Sequence, residues 1–472
     1  MNTIYNEKST DIVVCGGGLA GSAAAIAAAR QGKRVILIEE NGVLGGTATL
    51  GVVTPLESRL SRSGQSFGGL LAEIVQKTEE LSRKYCTTGF MEEGIAERCA
   101  PHILKYVLLK LATDAKVEVL FHTRVIDIEK DGNRIVAVFA QTRDGVLKIQ
   151  SQAFIDGTGD GALIEKSGAS FVLGSEKNTL EQLSAMGLDV QHEGNRKIDN
   201  SYEEKPVMQP VSIFFVMGGI DFERADKYCG KTLYFKDLNI SKTQFENWEY
   251  ANTLGFELKG DELPLPQGRI LLTPTPRKGV YAVNMSRVIG IDGSKADSLN
   301  EGEIKAQLQL IAIVDFLKTF VPGFEHAYLQ ESGSTLGIRE TRRLKGKYTL
   351  TGADIYYSKR FNDAIARGAY IIDIHDPHGN GGAIGGHIQG DFYEIPYGCI
   401  VDEKIENLLV CGRCISADHI AHSATRIQGA CIATGEAAGI AAALSIQKAI
   451  PANVLQGEDV ARLLKSQGTF LD

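Results

Sequence analysis

The first forty residues are dominated by continuous apolar runs. The run DIVVC at 11–15 predicts a buried strand, residues 19–31 predict a helix, and RVILIE at 34–39 predicts a second buried strand. A strand that is apolar without alternation is typical of a parallel sheet whose two faces are both covered. The chain therefore opens with a predicted βαβ unit.

Shorter strands and turns follow this unit. Residues 105–112 predict a helix, and residues 117–125 predict a strand. Residues 126–152 contain Asp-Gly turn signals between short patterned runs, which predicts a small antiparallel meander. The next apolar run, 153–156, predicts a strand that leads into another glycine-rich turn.

The middle of the chain has a different pattern. Between about 163 and 387, polar stretches separate patterned strands such as 211–219 and 269–274, which predicts a second domain of mixed α+β structure. Apolar character then returns in a predicted strand at 407–410 and a long helix at about 430–449. This strand and helix are expected to rejoin the first domain, which makes that domain discontinuous in sequence.

The composition describes a globular protein and narrows its partners. The 472 residues are 43% hydrophobic and 23% charged, with only 12 prolines. The net charge is −8 and the basic residues form no stripe, so nucleic acid is not an expected partner. No transmembrane segment is predicted, because the apolar helix at 19–30 is too short and the later one contains Glu436.

The N-terminus and the cysteines bear on the compartment. The first ten residues are polar and lack the apolar core of a secretory signal, so we expect a cytoplasmic protein whose eight cysteines stay reduced. One pair, Cys411-Gly-Arg-Cys414, has the spacing of a redox disulfide. It lies at the end of a predicted strand, whereas thioredoxin-type pairs lie at a helix start that lowers the thiol pKa. A redox pair is kept as an alternative.

A glycine cluster separates the first predicted strand from its helix. Gly16, Gly18 and Gly21 have the spacing in which the first glycine allows a tight turn, the second admits a pyrophosphate, and the third lets the helix pack on the strand. Glu39 ends the next strand, where a carboxylate binds ribose hydroxyls. Strand, glycines, helix and acid together predict a dinucleotide site, although a flexible turn also uses glycine.

Two further features favour FAD over a nicotinamide nucleotide. Glu39 disfavours a 2'-phosphate, which argues against NADP but not against NAD. A second glycine doublet, Gly45-Gly46-Thr47, follows the ribose acid, where it can reach the far side of the pyrophosphate. The predicted meander before the turn at 157–160 also favours FAD, because a plain NAD domain needs neither this meander nor the second glycine doublet.

Motifs along nearly the whole chain resemble known flavoproteins. The segments DIVVCGGGLAGSAAA, LGGTAT, FIDGTGDGAL and NLLVCGRCISADH resemble the FAD-binding blocks of the glutathione reductase and fumarate reductase type. The segments STLGIRETRRLKGKYTL, IDIHDPHGNG and YEIPYGCIV resemble bacterial FAD-dependent oxidoreductases. This implies an α/β fold: a discontinuous Rossmann-like FAD domain, with a parallel sheet and a β-meander, at 1–165 and 385–472, and an inserted α+β capping domain at 166–384.

The resemblance also implies which residues contact FAD. The residues up to Thr47 would hold the ADP half and the pyrophosphate, and Val125 would border the adenine. Gly159 and Asp160 would close the nucleotide side, and the late residues would line the ribityl chain and the start of the last helix. The flavin should be noncovalent, because no His, Cys or Tyr lies between residues 44 and 66. The implied set is Gly16, Gly18, Leu19, Ala20, Gly21, Glu39, Glu40, Gly45, Gly46, Thr47, Val125, Gly159, Asp160, Gly412, Arg413, Asp418 and Ile427.

Candidate catalytic groups lie in the second half of the chain. Arg339 belongs to the densest cationic stretch, which either binds an anionic substrate or forms an arginine-glutamate network between the domains. His375 and His378 lie in a turn-rich loop where an imidazole can carry a proton, and His419 follows the late strand near the expected flavin. Because a metal site needs three or four convergent ligands, no metal is predicted.

These features predict an FAD-dependent oxidoreductase. It would transfer a hydride between flavin N5 and a small polar substrate, carboxylated or polyhydroxylated. No second glycine fingerprint marks a nicotinamide domain, so electrons would leave through the substrate site or to a separate protein or quinone. The alternatives are a dithiol-disulfide flavoprotein using Cys411 and Cys414, and a flavin-binding partner protein that has lost its activity.

Overall fold

The computed structural model describes residues 4–53, 55–86, 100–188, 206–258, 260–377 and 383–471. The strands are β1 (Ile4–Ser9), β2 (Ile12–Cys15), β3 (Val35–Ile38), β4 (Glu118–Leu120), β5 (Arg124–Asp131), β6 (Arg134–Gln141), β7 (Val146–Gln150), β8 (Ala153–Asp156), β9 (Phe171–Leu173), β10 (Phe215–Gly218), β11 (Leu272–Pro274), β12 (Val280–Val283), β13 (Tyr328–Ser332), β14 (Arg342–Leu344), β15 (Ala364–Gly368), β16 (Ile372–His375), β17 (Ala383–Gly386), β18 (Tyr393–Pro396) and β19 (Leu408–Val410). The helices are α1 (Leu19–Arg30), α2 (Gly69–Tyr85), α3 (Pro101–Asp114), α4 (Ala162–Ser167), α5 (Thr179–Ala185), α6 (Phe222–Ala225), α7 (Phe235–Leu238), α8 (Lys242–Glu246), α9 (Ala296–Phe320), α10 (Gly352–Tyr356), α11 (His419–Thr425), α12 (Gln428–Lys448) and α13 (Gly457–Ser466).

A five-stranded parallel sheet forms the centre of the molecule. Its strand order is β19-β8-β2-β3-β4, and Ile12 pairs with both Val35 and Ala153. The late strand β19 pairs in parallel with β8, so a segment near residue 410 completes the sheet begun by the first forty residues. The predicted α/β fold with a Rossmann-like βαβ unit is confirmed. The division of the chain at residues 165 and 385 stays a prediction.

The apolar runs of the central strands are explained by burial on both faces. Ile12, Val14 and Leu37 belong to a core that includes α1, α3 and α12. Cys15 and Ile38 lie on the opposite face, in a core shared with strands β6 and β7. Since successive side chains of a strand point to opposite faces, covering both faces requires an apolar residue at every position.

The antiparallel meander is confirmed, but the strand predicted at 117–125 is wrong. Strands β5, β6 and β7 pair antiparallel, with β1 added at the edge of β7. The predicted single strand is instead two, because the chain turns at His122, whose φ is 52°. The amide of Thr123 donates to the carbonyl oxygen of Glu39 (3.0 Å) at this turn. Strand β4 therefore joins the parallel sheet, and β5 joins the meander.

The last long helix packs against the first. A Cβ atom at Gly435 would lie 2.1 Å from the carbonyl oxygen of Ala20, and one at Gly439 would lie 2.2 Å from that of Ala24. The two backbones therefore approach so closely that only glycine fits at these positions of α12. In the described part of the chain, α12 alone has the length and hydropathy of a membrane span, yet 83% of its apolar window is buried inside the protein.

The middle of the chain builds a second core. Strands β11, β12, β10 and β13 form an antiparallel sheet in that order, and α9 packs in the same core through residues such as Ile313 and Phe316. The strands here are shorter than their sequence patterns predict. The remaining strands pair two by two, β9 with β14, β15 with β18 and β16 with β17.

Candidate functional site

The first glycine turn leaves no room for side chains at two positions. Gly16 has a φ of 93°, and a Cβ atom there would lie 2.7 Å from both the carbonyl oxygen of Gly157 and the Cα of Thr158. A Cβ atom at Gly21 would lie 1.8 Å from the carbonyl oxygen of Gly16. These two glycines therefore let strand β2, helix α1 and the turn after β8 approach one another.

Gly18 differs because the space beside it is open. Among the described residues, the nearest atom to a Cβ at Gly18 would be the carbonyl oxygen of Gly157, at 3.9 Å. Gly18 precedes α1, whose first turn contains no acidic residue and whose start is not capped by any described side chain. The main-chain amides of Leu19 and Ala20 thus begin a helix whose positive dipole end faces this space, an arrangement that suits a phosphate.

A second glycine segment lies beside the first. The amide of Gly45 donates to the carbonyl oxygen of Gly17 (2.8 Å), and Gly18 and Gly45 form a parallel bridge. A Cβ atom at Gly46 would lie 3.1 Å from the Cα of Gly18. Thr47 is exposed at the same point. We call residues 16–21 and 45–47, together with Glu39, the nucleotide cradle.

The carboxylate of Glu39 holds the cradle together. Its Oε2 accepts from the amide of Gly17 (2.7 Å), and its Oε1 accepts from the amide and the side chain of Asn41 (both 2.8 Å). Each carboxylate oxygen can accept more than one hydrogen bond, so ribose hydroxyls remain possible partners. Glu39 is only 5% exposed, which fixes its position at the end of β3.

A cavity opens beyond Glu39, next to Glu40. It has a volume of about 390 Å³ and is lined by Glu40, Asn41, His122, Arg124, Gln141, Thr142 and Arg143. The exposed side chains of Glu40 and Arg124 approach to 3.6 Å across it. Neighbouring protein atoms remove part of the hydration of Glu40, which raises its pKa, and Arg124 opposes this rise. Val125 follows Arg124 on β5 but is not among the residues that line the cavity.

Gly159, Asp160 and Arg413 lie together, although they are far apart in sequence. Arg413 donates from Nε to the carbonyl oxygen of Gly159 (2.8 Å), and its Nη2 donates to the Asp160 carboxylate. The hydroxyl of Thr341 also donates to Asp160 (2.9 Å). This contact links the turn after β8 to the turn after β19. Gly412 there has a φ of 75°, and its amide donates to the hydroxyl of Thr434 (3.1 Å).

Asp418 and Ile427, the other late residues expected to contact the flavin, lie at the starts of helices. Asp418 caps α11 through the amide of Ala421 (2.7 Å) and also accepts from the amide of Gly352 (2.8 Å). Burial raises the pKa of Asp418 to about 6 against these two bonds. Ile427 precedes α12, where the amide of Gly429 donates to the carbonyl oxygen of Glu57 (3.1 Å). That amide is therefore not available to a flavin oxygen in this conformation.

A second group of charged residues is buried near strand β16. Arg287, Arg339 and Arg426 surround the side chains of Asp373 and His375, and we call these five residues the arginine cluster. Arg426 Nη2 donates to the carbonyl oxygen of Asp373 (3.1 Å) and lies 3.5 Å from its carboxylate. Arg339 is 7% exposed and donates from Nη1 to the carbonyl oxygen of Pro210 (2.5 Å).

The ionisation of the cluster follows from burial and charge. Burial lowers the pKa of Arg339, and its neighbours Arg287 and Arg426 lower it further. Burial alone would raise the pKa of Asp373, but His375, Arg426 and Arg339 together bring it below its usual range. Burial and then Arg339 lower the pKa of His375, so its imidazole is neutral. The cluster thus concentrates positive charge around one ionised carboxylate.

Both ring nitrogens of His375 have partners. Nε2 lies 3.4 Å from the carboxylate of Asp373, and Nδ1 lies 3.3 Å from Nη2 of Arg287. Because an arginine only donates, Nδ1 is the acceptor, and the proton of the neutral ring is on Nε2. A proton transfer by this imidazole therefore requires the contact with Arg287 to open. His378 lies outside the described residues.

Arg343, from the same cationic stretch as Arg339, belongs to a different network. Arg343 is fully buried and donates to the Glu340 carboxylate, to Glu176 (2.9 Å) and to the carbonyl oxygens of Gly174 (2.8 Å) and Ala417 (2.9 Å). His419 Nδ1 lies 3.0 Å from Glu340. Burial and Arg343 lower the pKa of His419 to about 3. Arg339 and Arg343 of one segment therefore have separate surroundings.

The cysteine pair at 411 and 414 is sealed inside the protein. Both residues are 0% exposed, and their thiols lie 3.7 and 3.9 Å from the carbonyl oxygen of Asp156. Burial raises the pKa of both thiols well above the usual range. Neither cysteine forms a disulfide with any of the described cysteines. Across the residues that the structure describes, no three His, Cys, Asp or Glu side chains converge as metal ligands do.

Comparison with known proteins decides the family. The sequence profile of the family described as FAD dependent oxidoreductase matches residues 11–464, almost the whole chain. The chain belongs to the FAD-dependent oxidoreductase family. This protein is therefore an enzyme whose cofactor is FAD.

Individual relatives of this oxidoreductase share little with it. The dihydrolipoamide dehydrogenase of Chaetomium thermophilum is 44% identical over 57 residues, which are 12% of this chain and only 11% of that enzyme. The flavin-dependent brominase Bmp2 is 11% identical over 97% of this chain and 83% of its own, with a TM-score of 0.45. The p-nitrophenol 4-monooxygenase PnpA from Pseudomonas putida DLL-E4 is 10% identical over 98% and 87%, with a TM-score of 0.44. Likeness at this level bears on neither substrate nor reaction.

The nucleotide cradle of this oxidoreductase fits FAD. The open space at Gly18, the amides that begin α1 and the adjoining segment at 45–47 suit a pyrophosphate. Glu39 suits ribose hydroxyls, and the cavity beside Glu40 suits the adenosine end. The assignment of single residues to atoms of FAD stays a prediction.

Sequence reasoning missed three residues that the structure places at the arginine cluster. Arg287 follows β12, Arg426 lies between α11 and α12, and Gln209 accepts a hydrogen bond from the amide of His375 (3.1 Å). None of them belongs to a motif or lies near Arg339 in sequence. The one sequence signal was that Arg287 and Arg426 each stand alone beside apolar segments. Such segments are mostly buried, and a charged side chain is not expected there without a partner.

Proposed function

We propose that this oxidoreductase exchanges a hydride between flavin N5 and a small substrate that carries a carboxylate. Bound FAD supplies the redox chemistry, and the chain supplies binding, orientation and a route for the proton. The observation that carries the proposal is the arginine cluster, in which the guanidinium groups of Arg287, Arg339 and Arg426 lie close together around the carboxylate of Asp373. A polyhydroxylated substrate without charge has less support, because it would not offset the repulsion that Arg287 and Arg426 exert on Arg339.

The physical reason is the cost of buried charge. A buried cation is tolerated when an anion and hydrogen-bond partners compensate for its lost hydration. Arg339 is directed to the carbonyl oxygen of Pro210 and faces two other arginines, so a substrate carboxylate would supply the missing counter-charge. Arg339 is the residue we propose to orient that carboxylate.

His375 is the residue we propose to carry the substrate proton. Its Nδ1 accepts from Arg287 in the structure. A substrate carboxylate in the cluster would attract Arg287 and expose Nδ1, while Asp373 holds the opposite side of the ring. Proton transfer would then be coupled to binding of the anion. A role for His378 and a position of His419 beside the flavin remain further proposals.

The dithiol-disulfide alternative has little physical support. A redox-active thiol needs a lowered pKa and access, whereas Cys411 and Cys414 are fully buried and burial raises the pKa of both. Counting accessible thiols before and after anaerobic flavin reduction separates the two functions. An increase of two thiols on reduction would favour the disulfide enzyme over the proposal.

The setting of the reaction is also proposed. We propose a cytoplasmic enzyme that acts on a small molecule, does not bind nucleic acid, and passes electrons either through the substrate site or to a protein or quinone partner. The seven described cysteines are free thiols, in keeping with a reducing compartment. Sedimentation of the purified protein would supply the oligomeric state.

Anaerobic stopped-flow bleaching of the flavin tests the proposal. Carboxylates such as hydroxy acids should bleach the flavin faster than sugars or amines of similar size. The variant Arg339→Gln should slow bleaching at low substrate concentration about 100-fold with an unchanged flavin spectrum, because a charge-assisted contact is lost. Arg462→Gln removes an exposed arginine and is the matched control. Equal bleaching by neutral polyols, or an unaffected Arg339→Gln, would contradict the proposal.

A further inference from the structure

Gln209 is a buried side chain with one end anchored and the other end open. It is 1% exposed, and its Oε1 accepts from the amide of His375 at 3.1 Å. No described residue accepts a hydrogen bond from its Nε2, which is also buried. The carbonyl oxygen of the next residue, Pro210, holds Arg339. Gln209 therefore presents a neutral N–H donor beside the arginine and histidine of the cluster.

Arg426 has a second unused donor in the same place. Its side chain is 11% exposed, and Nη2 is directed to Asp373. Its Nε is buried, and no acceptor for it is found in the described part of the chain. Gln209 accepts from the amide of His375 and Arg426 donates to the carbonyl oxygen of Asp373, two residues apart on β16, so both side chains lie along the same edge of this strand.

Buried donors without acceptors are rare in folded proteins and point to a missing partner. A charged donor at Arg426, with Arg339 beside it, calls for a carboxylate. A neutral amide donor at Gln209 calls for an uncharged oxygen. One small molecule offers both when an oxygen is attached to the carbon next to the carboxylate.

We propose that the substrate is a 2-hydroxy or 2-oxo carboxylic acid. Its carboxylate is bound by Arg339 and Arg426, and its C2 oxygen accepts a hydrogen bond from Gln209 Nε2. The inference rests on the proposed function and names the substrate class of that same site. Gln209 and Arg426 are then substrate-binding residues that decide which acids are accepted.

FAD as the oxidant and His375 as the proton acceptor together balance the oxidation of the hydroxy acid. Bound FAD would be the two-electron oxidant: the C2–H bond of the hydroxy acid would break, and its hydrogen would leave with both electrons as a hydride to FAD. The O–H bond breaks and its proton passes to Nδ1 of His375, while the C2–O bond becomes a double bond. The reverse reaction takes the same groups in the opposite sense. In both directions the C2 oxygen gains or loses negative charge beside the Gln209 donor, which stabilises that charge.

Titration calorimetry on the FAD-loaded protein without oxygen tests the inference. The probes are pyruvate, propionate, which lacks the C2 oxygen, and pyruvamide, which lacks the charge. A larger pair, 4-methyl-2-oxopentanoate and 4-methylpentanoate, covers a site made for a bulkier substrate. In at least one pair the 2-oxo acid should bind about 10-fold more tightly than its plain acid, and pyruvamide should bind at least 100-fold more weakly than pyruvate.

Two variants and a control assign the discrimination to residues. Gln209→Leu should remove the preference for the 2-oxo acid and leave the affinity for the plain acid within about twofold. Arg426→Gln should weaken both acids by about 10-fold or more and keep their ratio. Arg462→Gln should change neither. The probe comparison on the unaltered protein stands even where a variant fails to fold.

The outcomes separate this inference from the proposed function. Plain acids that bind as tightly as 2-oxo acids would overturn the substrate class and leave the proposed carboxylate site intact. No measurable binding of any acid would overturn both. A preference for 2-oxo acids that survives in Gln209→Leu, or an Arg426→Gln variant with unchanged affinities, would overturn the assigned residues and with them the inference.

Discussion

The nucleotide cradle and the arginine cluster are suited to anions in opposite ways. The cradle offers main-chain amides and the start of a helix, and its glycines keep side chains away. The cluster offers side chains that carry full charges and come from β16 and from three segments far from it in sequence. A site made of backbone is thus compact in sequence, whereas a site made of charged side chains exists only after the chain has folded.

The two sites also differ in their effect on the stability of the folded protein when no anion is bound. Main-chain amides at a helix start carry no net charge and tolerate an open space filled with water. Buried guanidinium groups that lie close together repel one another, which lowers the stability of the protein until an anion binds. Substitutions should therefore act differently at the two sites.

The largest effect is expected where a buried ion pair is broken. Arg343→Met leaves the buried carboxylate of Glu340 without its cation, which should lower the free energy of unfolding by about 3–5 kcal/mol. Arg339→Met, in the same segment, removes an incompletely compensated cation and should cost far less. Urea unfolding of both variants measures the difference. Equal losses would show that Arg339 belongs to the structural network.

A smaller loss is expected at the first glycine of the cradle. Gly16→Ala combines a φ of 93° with contacts of 2.7 Å to main-chain atoms, and we expect a loss of about 3 kcal/mol. Gly32→Ala is the matched control, because its φ is 77° but no described atom lies within 4 Å, so only the backbone strain of about 1 kcal/mol applies. Thermal unfolding compares them. A loss at Gly16 no greater than at Gly32 would contradict the close approach at the cradle.

A pH dependence of intermediate size is expected from helix α12. Burial raises the pKa of Glu436 to about 7, although its carboxylate accepts from the amide of Leu70. Between the unfolded value near 4.5 and about 7, the folded chain retains a proton that the unfolded chain releases, so stability falls as pH rises through this window. The change should be about 2 kcal/mol and disappear in Glu436→Gln.

Urea unfolding at pH 5 and pH 8 measures this dependence. Glu79→Gln is the control, since Glu79 pairs with the exposed Arg83 on the same helix as Leu70 and does not act on the pKa of Glu436. If Glu436→Gln retains the full difference between the two pH values, the carboxylate of Glu436 is not its source.

The smallest effect is expected at the cysteine pair. Cys414→Ala should keep the rate of flavin reduction within about twofold, because a thiol buried without exposure takes no part in the redox step. Stability should fall by about 1 kcal/mol for the lost packing. Flavin bleaching with the same substrate is the readout. A loss of reduction by orders of magnitude would restore the dithiol alternative.

The sequence predicted the cradle because its signals are local. Gly16, Gly18 and Glu39 have fixed separations along the chain, and the apolar runs beside them report burial on both faces. The turn at His122 was missed, because no glycine or proline marks a left-handed residue there. Arg287, Arg426 and Gln209 could not be predicted at the cluster, because only tertiary packing brings them to β16.

The FAD affinity of Gly18→Ala tests most directly whether the first glycine turn holds the cofactor. The structure has room for this methyl group, so the stability of the FAD-free protein should fall by no more than about 1 kcal/mol. The methyl group would occupy the space where the main chain must approach the pyrophosphate, and the affinity for FAD should fall by roughly 100-fold. An FAD affinity equal to that of the unaltered protein, with the fold intact, would contradict the central claim that this glycine turn holds the cofactor.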